Sequence, residues 1–390
     1  MASEPESISH GLPVSSSKKR GWGRLLTDFV KKNPVLCIAV LAAAVTACFV
    51  PPDGAYGGYF DFRTLSCLFC VLAVVCALRE IRFFEKLARA IVDHFTGVRS
   101  CFFALACVTF IGSMFIANDM ALLTFLPLGA RVLQVSRRQE QTAFLFVLQN
   151  ISANLGGMLT PFGNPQNLYL YSHFSIPDGE FMLIMLPYFL LAVGLIALCC
   201  LFVPKEEIHL HETHPLPLPK GKTAFFVALF ALSVAIVFRG VPFLVGLAVI
   251  PVALLFTQPK ALKQVDYGLL FTFVAFFIFA GNMGRISAVR ELFSAMLQKN
   301  TLLTSIASCQ VISNVPSAIL LSQFTQNYPA LLVGVNLGGT GTLIASLASL
   351  ITFRQFRKLC PGQTGRYLLL FTGMNLLFLL PLTLLALCML

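Results

Sequence analysis

The chain has 390 residues, 57% of them hydrophobic and only 12% charged, with a mean hydropathy of +0.81. A soluble domain carries charge at roughly a quarter of its positions, so a water-exposed globule is excluded and the expected surroundings are a lipid bilayer. The net charge of +11 would point to nucleic acid on a soluble protein; here Lys and Arg gathered in loops on one side of a membrane account for it, and no nucleic-acid partner is expected.

In chain order, residues 1–33 read as a disordered, basic cytoplasmic tail. It is too long and too polar before the first apolar run to be a cleavable signal peptide, and its Trp22–Val30 segment suits the membrane interface. Apolar runs able to cross about 30 Å of hydrocarbon follow at Pro34–Val50, Thr64–Leu78, Phe181–Val203, Thr223–Phe238, Val241–Phe256, Tyr267–Ala280 and Tyr367–Leu387. Gln141–Phe174 and Tyr328–Phe353 are apolar but interrupted by Gly, Asn and Pro.

Ser100–Ala130 would be about 46 Å long as one straight helix. Arg99 precedes it and Arg131, Arg137 and Arg138 follow it. Basic residues at both ends predict a re-entrant hairpin that turns at Ala117-Asn118-Asp119, and Thr301–Thr325 reads as its counterpart, turning at Ser313-Asn314. Threading from a cytoplasmic N-terminus leaves only Arg63, Arg239, Arg285, Arg290 and Lys299 of the 28 basic residues outside.

The chain repeats itself. Asn154-Leu155-Gly156-Gly157 with Thr160 recurs, 182 residues later, as Asn336-Leu337-Gly338-Gly339 with Thr342, and Ile116-Ala117-Asn118 recurs as Ile312-Ser313-Asn314. Each half reads as two spans, an amphipathic segment (Ile81–His94; Arg285–Gln298), an Asn-tipped hairpin, a broken helix and a final span. The predicted fold is an all-α polytopic membrane protein of two inverted repeats with re-entrant helical hairpins and broken transmembrane helices. Residues 34–203 form the first repeat, 204–222 a cytoplasmic linker, 223–238 an extra span that inverts the second copy, and 239–390 the second repeat. This architecture points to alternating-access transport.

Non-helical backbone at membrane depth persists only where protein or a watery cavity satisfies it. Thr160-Pro161-Phe162-Gly163-Asn164-Pro165 is such a stretch; Asn164 suits an N-cap and Pro165 a first helical position. Asn314 precedes Val315-Pro316 in the same manner, and Asn118 or Asp119 suits the start of the first hairpin's second arm. Converging half-helix N-termini favour an anionic substrate, while loop carbonyls and Asn or Ser oxygens favour a small cation. The plainer alternative is that these residues only cap turns. Asp119 is the one acid of seventeen placed near the membrane centre, where a carboxyl is costly and commonly carries a proton or ligates a cation; a capping role is its alternative.

Other constellations carry less. The twelve Cys lie mostly in apolar runs, and the Cys67–Cys70 pair has no partner pair nearby, so no metal or redox cofactor is expected. His209, His211 and His214, with Glu206, Glu207 and Glu212, form a linker cluster that could hold a metal but reads first as a solvated linker. No HExxH and no second intramembrane acid occurs, so an intramembrane protease lacks its parts, and the chain is expected to be a transporter rather than an enzyme.

The stretches Ile116–Leu128 (IANDMALLTFLPL), Asn154–Leu168 (NLGGMLTPFGNPQNL), Ile312–Leu321 (ISNVPSAILL) and Gly334–Leu350 (GVNLGGTGTLIASLASL) resemble the citrate-transporter-like ion transporter superfamily. That group spans divalent anion/sodium symporters, citrate carriers, arsenite permeases and some sodium/proton antiporters. The resemblance implies a homodimer in the plasma (inner) membrane, with a scaffold and a moving transport domain working as an elevator. In the symporter branch, a Ser-Asn-Thr motif at each hairpin tip and the facing broken-helix loop bind substrate carboxylate and sodium.

Carried over, Asn118, Thr160, Asn164, Asn314, Thr340 and Thr342 would bind substrate. Ala117, Asp119, Gly163, Ser313 and Gly338 would serve the coupling sodium or proton. Neither tip has the Thr and the first lacks the Ser; its Asn-Asp pair looks more like the arsenite and antiporter branches. The expected activity is ion-coupled secondary transport of a small anion, first a di- or tricarboxylate such as citrate. Arsenite efflux, sodium/proton exchange and a passive anion channel of the same fold are the alternatives.

Overall fold

The computed structural model describes residue 30 and residues 33–206 and 218–390. The expected linker cluster at His209, His211 and His214, and nearly all of the basic tail, lie outside them. The first half runs α1 (Pro34–Phe49), a 3₁₀ turn (Gly54–Tyr59), α2 (Phe62–Glu80), α3 (Phe83–Val92), α4 (Val98–Ile116), α5 (Asn118–Val135), α6 (Thr142–Gly156), α7 (Pro165–His173) and α8 (Asp178–Leu201). After α9 (Lys220–Val237) come α10 (Phe243–Thr257), α11 (Pro259–Gln264), α12 (Tyr267–Arg285), α13 (Ser287–Lys299), α14 (Thr301–Ile312), α15 (Asn314–Leu321), α16 (Tyr328–Gly338), α17 (Leu347–Leu359) and α18 (Thr364–Met389). Element for element, α10–α18 repeats α1–α8, with α11 standing where the 3₁₀ turn stands and α9 as the unpaired extra helix.

The repeats are built by the same local chemistry. Asp61 and Asp266 start α2 and α12 by accepting the Thr64 and Leu269 N–H groups, each at 2.9 Å. The halves then exchange their first helices: α1 and the 3₁₀ turn pack on α12, while α10 and α11 pack on α2. Such reciprocal packing is what a two-fold relation between inverted copies produces. Asn282 Nδ2 donates to Thr46 Oγ1 at 3.3 Å, pinning α1 to α12.

Both predicted hairpins form, and each turns on one residue. Ala117 (φ 60°, ψ 149°) and Ser313 (φ 76°, ψ 160°) share a backbone conformation that L-residues rarely adopt. The arms of the first hairpin extend beyond the apolar stretch, to Val98 and Val135, whereas the second arm of the other is short, ending at Leu321. Both broken helices also form. In each, the first glycine of the Asn-Leu-Gly-Gly motif lets the helix approach the hairpin. A β-carbon on Gly156 would collide with the Phe110 carbonyl, and one on Gly338 would lie 2.8 Å from Cys309 Cβ.

Among the described residues seven helices are long and apolar enough to cross a membrane, and large apolar side chains such as Phe256 and Leu369 face outward. Among the described residues every fully buried polar side chain is uncharged: Ser, Thr, Asn, Gln or Tyr. Burying neutral polar groups costs little when they are hydrogen-bonded, and burying charge costs much more. The chain is an integral, all-α polytopic membrane protein.

Candidate functional site: a reciprocal asparagine network

The two halves meet through polar side chains from the hairpins and the broken helices. Asn118 Nδ2, at the first tip, donates to Asn154 Oδ1 at 3.1 Å, and Ser346 Oγ from the other half donates to the same oxygen at 2.8 Å. The reciprocal contact is present: Asn164 Nδ2 donates to Asn336 Oδ1 at 3.4 Å. Asn154 and Asn336 are equivalent in the repeat, as are Asn164 and Ser346, so each motif asparagine accepts from the half-helix N-cap of the other repeat. Asn336 Nδ2 also donates to Asn167 Oδ1 at 2.6 Å, and Asn150 is tied to Ser349 and Thr352.

Three helix N-termini meet in this network, α5 at Asn118, α7 at Asn164 and α17 at Ser346, and a fourth, α15 at Asn314, borders it through Asn314 N, which donates to Ala345 O at 2.9 Å. The ends of α4, α6, α14 and α16 reach the same region. N-termini offer partial positive charge and C-termini offer carbonyl oxygens, so an anion and a small cation can both be held there without a buried cationic side chain. Among the described residues the network contains two buried polar atoms without a partner, Asn154 Nδ2 and Asn164 Oδ1, one donor and one acceptor.

The sequence patterns of the citrate transporter family match residues 26–333. The chain belongs to the citrate transporter family. It is 32% identical over 317 residues to an uncharacterized transporter of Methanocaldococcus jannaschii, covering 80% of this chain and 85% of that one. It is 26% identical to the inner membrane protein YbiR of Escherichia coli, with coverage of 81% and 86%. It is also 29% identical to the silicon efflux transporter LSI3 of Oryza sativa subsp. japonica, over 47% of this chain and 38% of that one.

This transporter brings Asn118 and Asn164 into the network and sets Asn314 against its edge, where Asn314 Nδ2 would lie 3.1 Å from a β-carbon on Gly339. Asn164 occupies the N-cap position before Pro165, as expected, but its amide leaves the helix and reaches Asn154 O and Asn336 instead of capping. At the tips, Asn118 Oδ1 and Asn314 Oδ1 each accept the next residue's N–H at 2.9 Å. In Asn118 the two ends of one amide thus hold the turn and bridge to Asn154.

The threonines behave differently. Thr160 Oγ1 donates to Met114 O at 2.7 Å, and Thr342 Oγ1 to Gln310 O at 3.2 Å, equivalent carbonyls in the two hairpins. Thr340 turns its hydroxyl to Leu337 O at 2.6 Å. Gly163 lies beneath the first loop, where a β-carbon would stand 2.7 Å from Thr160 Oγ1. Gly338 O accepts from Gln310 Nε2 at 2.8 Å, and Ser313 Oγ donates to Ala345 O at 3.3 Å.

Ala117 is the buried strained turn residue, and Asp119, half-buried beside it, has a buried Oδ1 without a partner. The residues that complete the network, Asn154, Asn336, Ser346, Asn167 and Gln310, are not among those the sequence points to as ligands. The repeat spacing does carry the signal for one of them, since Ser346 falls where the second copy's Asn164 should be.

Proposed function

We propose that this family member is an ion-coupled secondary active transporter of a small anion, foremost a di- or tricarboxylate such as citrate. It works as a homodimer in the plasma (inner) membrane, N-terminus in the cytoplasm, by elevator-type movement of the hairpin and broken-helix bundle against the α1–α2 and α9–α12 frame. Asn118, Asn164 and Asn314 contact the substrate, while Thr160, Thr340 and Thr342 hold the loops that frame it. Asp119, with the tip and loop backbone of Ala117, Gly163, Ser313 and Gly338, serves the coupling sodium or proton. The observation that carries this reading is the meeting of three helix N-termini, with a fourth at the border, in a neutral network with an unpartnered donor and acceptor.

A second reading, efflux of a metalloid oxide, is favoured by Asp119 at the first tip and by the rice relative, named a silicon efflux transporter. The test is flux in proteoliposomes loaded in turn with citrate, succinate, arsenite and silicic acid, under sodium or proton gradients. Accumulation of citrate or succinate against its gradient is expected. If both carboxylates are ignored while arsenite or silicic acid moves, the first reading fails; electrodiffusive flux without accumulation makes the protein a channel.

A further inference from the structure

A second cavity lies away from the asparagine network, between the α2–α3 corner and the second arm of the first hairpin. Its volume is about 450 Å³, and four guanidinium groups line it, Arg79, Arg82, Arg89 and Arg131, against one carboxylate, Glu85. That volume falls within the ordinary range for small-ligand sites.

The charges are unevenly matched. Glu85 is shared by Arg89, in a close i,i+4 pair, and Arg82, at 3.9 Å. Arg79 has no ion pair among the described residues; its guanidinium Nη1 rests on Met120 Sδ at 3.2 Å, a thioether with no charge to offer. The adjacent Glu80 is turned to the Gln264 amide. Arg131, exposed on α5, has no ion pair among the described residues either. Two guanidinium forks from two different elements are therefore left without an anion in one concave space. Arg79 is partly removed from water, where a guanidinium without a counter-charge is costly, and the planar fork of either arginine matches the paired oxygens of carboxylate or phosphate.

We infer that this cavity is a second anion site, in which Arg79 and Arg131 together clasp a multivalent oxyanion and so tie the first hairpin's second arm to the α2–α3 corner. The inference does not depend on what is transported, because none of the lining residues belongs to the asparagine network. A soluble phosphate or carboxylate and the headgroup of an anionic lipid share the required chemistry.

The test uses the full chain purified in neutral detergent, as wild type and as the Arg79→Gln/Arg131→Gln variant. Inorganic phosphate is titrated by calorimetry and phosphatidylglycerol by native mass spectrometry. The wild type is expected to bind at least one of them, with Kd raised at least fivefold in the variant. Phosphate alone identifies a soluble anion, and phosphatidylglycerol alone a lipid headgroup. Binding of neither by the wild type, or a change smaller than fivefold, overturns the inference and leaves the arginines as orientation signals only. Should the double variant fail to fold, the exposed Arg131→Gln substitution alone is read against the same fivefold threshold.

Discussion

The two hairpin tips use one backbone design with different side chains. Ala117-Asn118-Asp119 and Ser313-Asn314-Val315 share the positive-φ turn, the asparagine and its bond to the following N–H. The second tip is clamped to its loop by the backbone, with Asn314 N donating to Ala345 O at 2.9 Å. The first tip has no such backbone clamp among the described residues; Asn118 ties it through Asn154. The arms differ as well. Ser308 and Ser317 join them by a 2.8 Å hydrogen bond in the second hairpin, whereas Gly112 makes room for the Phe125 ring in the first. The acid thus sits on the less firmly anchored tip. Repeat symmetry supplies the shared turn, and the two copies depart from it in the tip side chains and in the backbone clamp.

The largest expected effect breaks that asymmetry. Asp119→Asn should fold normally yet lose or uncouple transport, measured as gradient-driven flux in proteoliposomes; wild-type coupled flux would reduce Asp119 to a turn residue. Next comes the shared packing contact. Gly156→Ala should destabilise more than Gly338→Ala, because the first added carbon meets a backbone carbonyl and the second meets a side-chain atom. Overpacking of this kind costs about 1–3 kcal/mol, and thermal unfolding of the two purified variants checks the order.

Glycine at the strained turns sharpens the comparison further. Strain of this type is worth about 1–3 kcal/mol, less about 0.5–1 kcal/mol for glycine's own flexibility. Ala117→Gly should therefore raise Tm. Ser313→Gly should raise it less, since the Ser313 hydroxyl bond to Ala345 O is lost.

The smallest effect lies outside the membrane. Arg285 donates to both Asp53 oxygens, at 3.0 and 2.7 Å, and this hydrogen bonding holds the Asp53 carboxyl below its ordinary value of 3.8. A depressed pKa contributes stability above the ordinary value and loses it as pH falls through the folded-state value. The pair is exposed, so the effect is small. Asp53→Asn should cost this small contribution at neutral pH and flatten the slight loss of stability below pH 3.8, as followed by unfolding at several pH values.

Much of the fold was legible because membrane depth punishes irregular backbone. Polar Asn118 and Asn314 inside apolar runs betray hairpin tips, and Gly-Asn-Pro at 163–165 betrays a helix restart. The helix exchange, α1 onto α12 and α10 onto α2, was not legible, since apolar runs carry no label for their partner. Within the site, the sequence singles out Asn118 and Asn164, and both side chains join the buried hydrogen-bond network. What sequence cannot tell is where a hydroxyl points, and Thr160, Thr340 and Thr342 give theirs to the Met114, Leu337 and Gln310 carbonyls. The Asn154–Ser346 contact itself is seen only when the halves close on each other.

That closure is tested most directly by a double-mutant cycle on Asn154→Ala and Ser346→Ala, read as unfolding free energy of the purified protein. Residues in direct contact across the halves should show a coupling of about 0.5–3 kcal/mol, so the double variant should lose less than the two singles combined. Strict additivity would mean that the two repeats do not share this network.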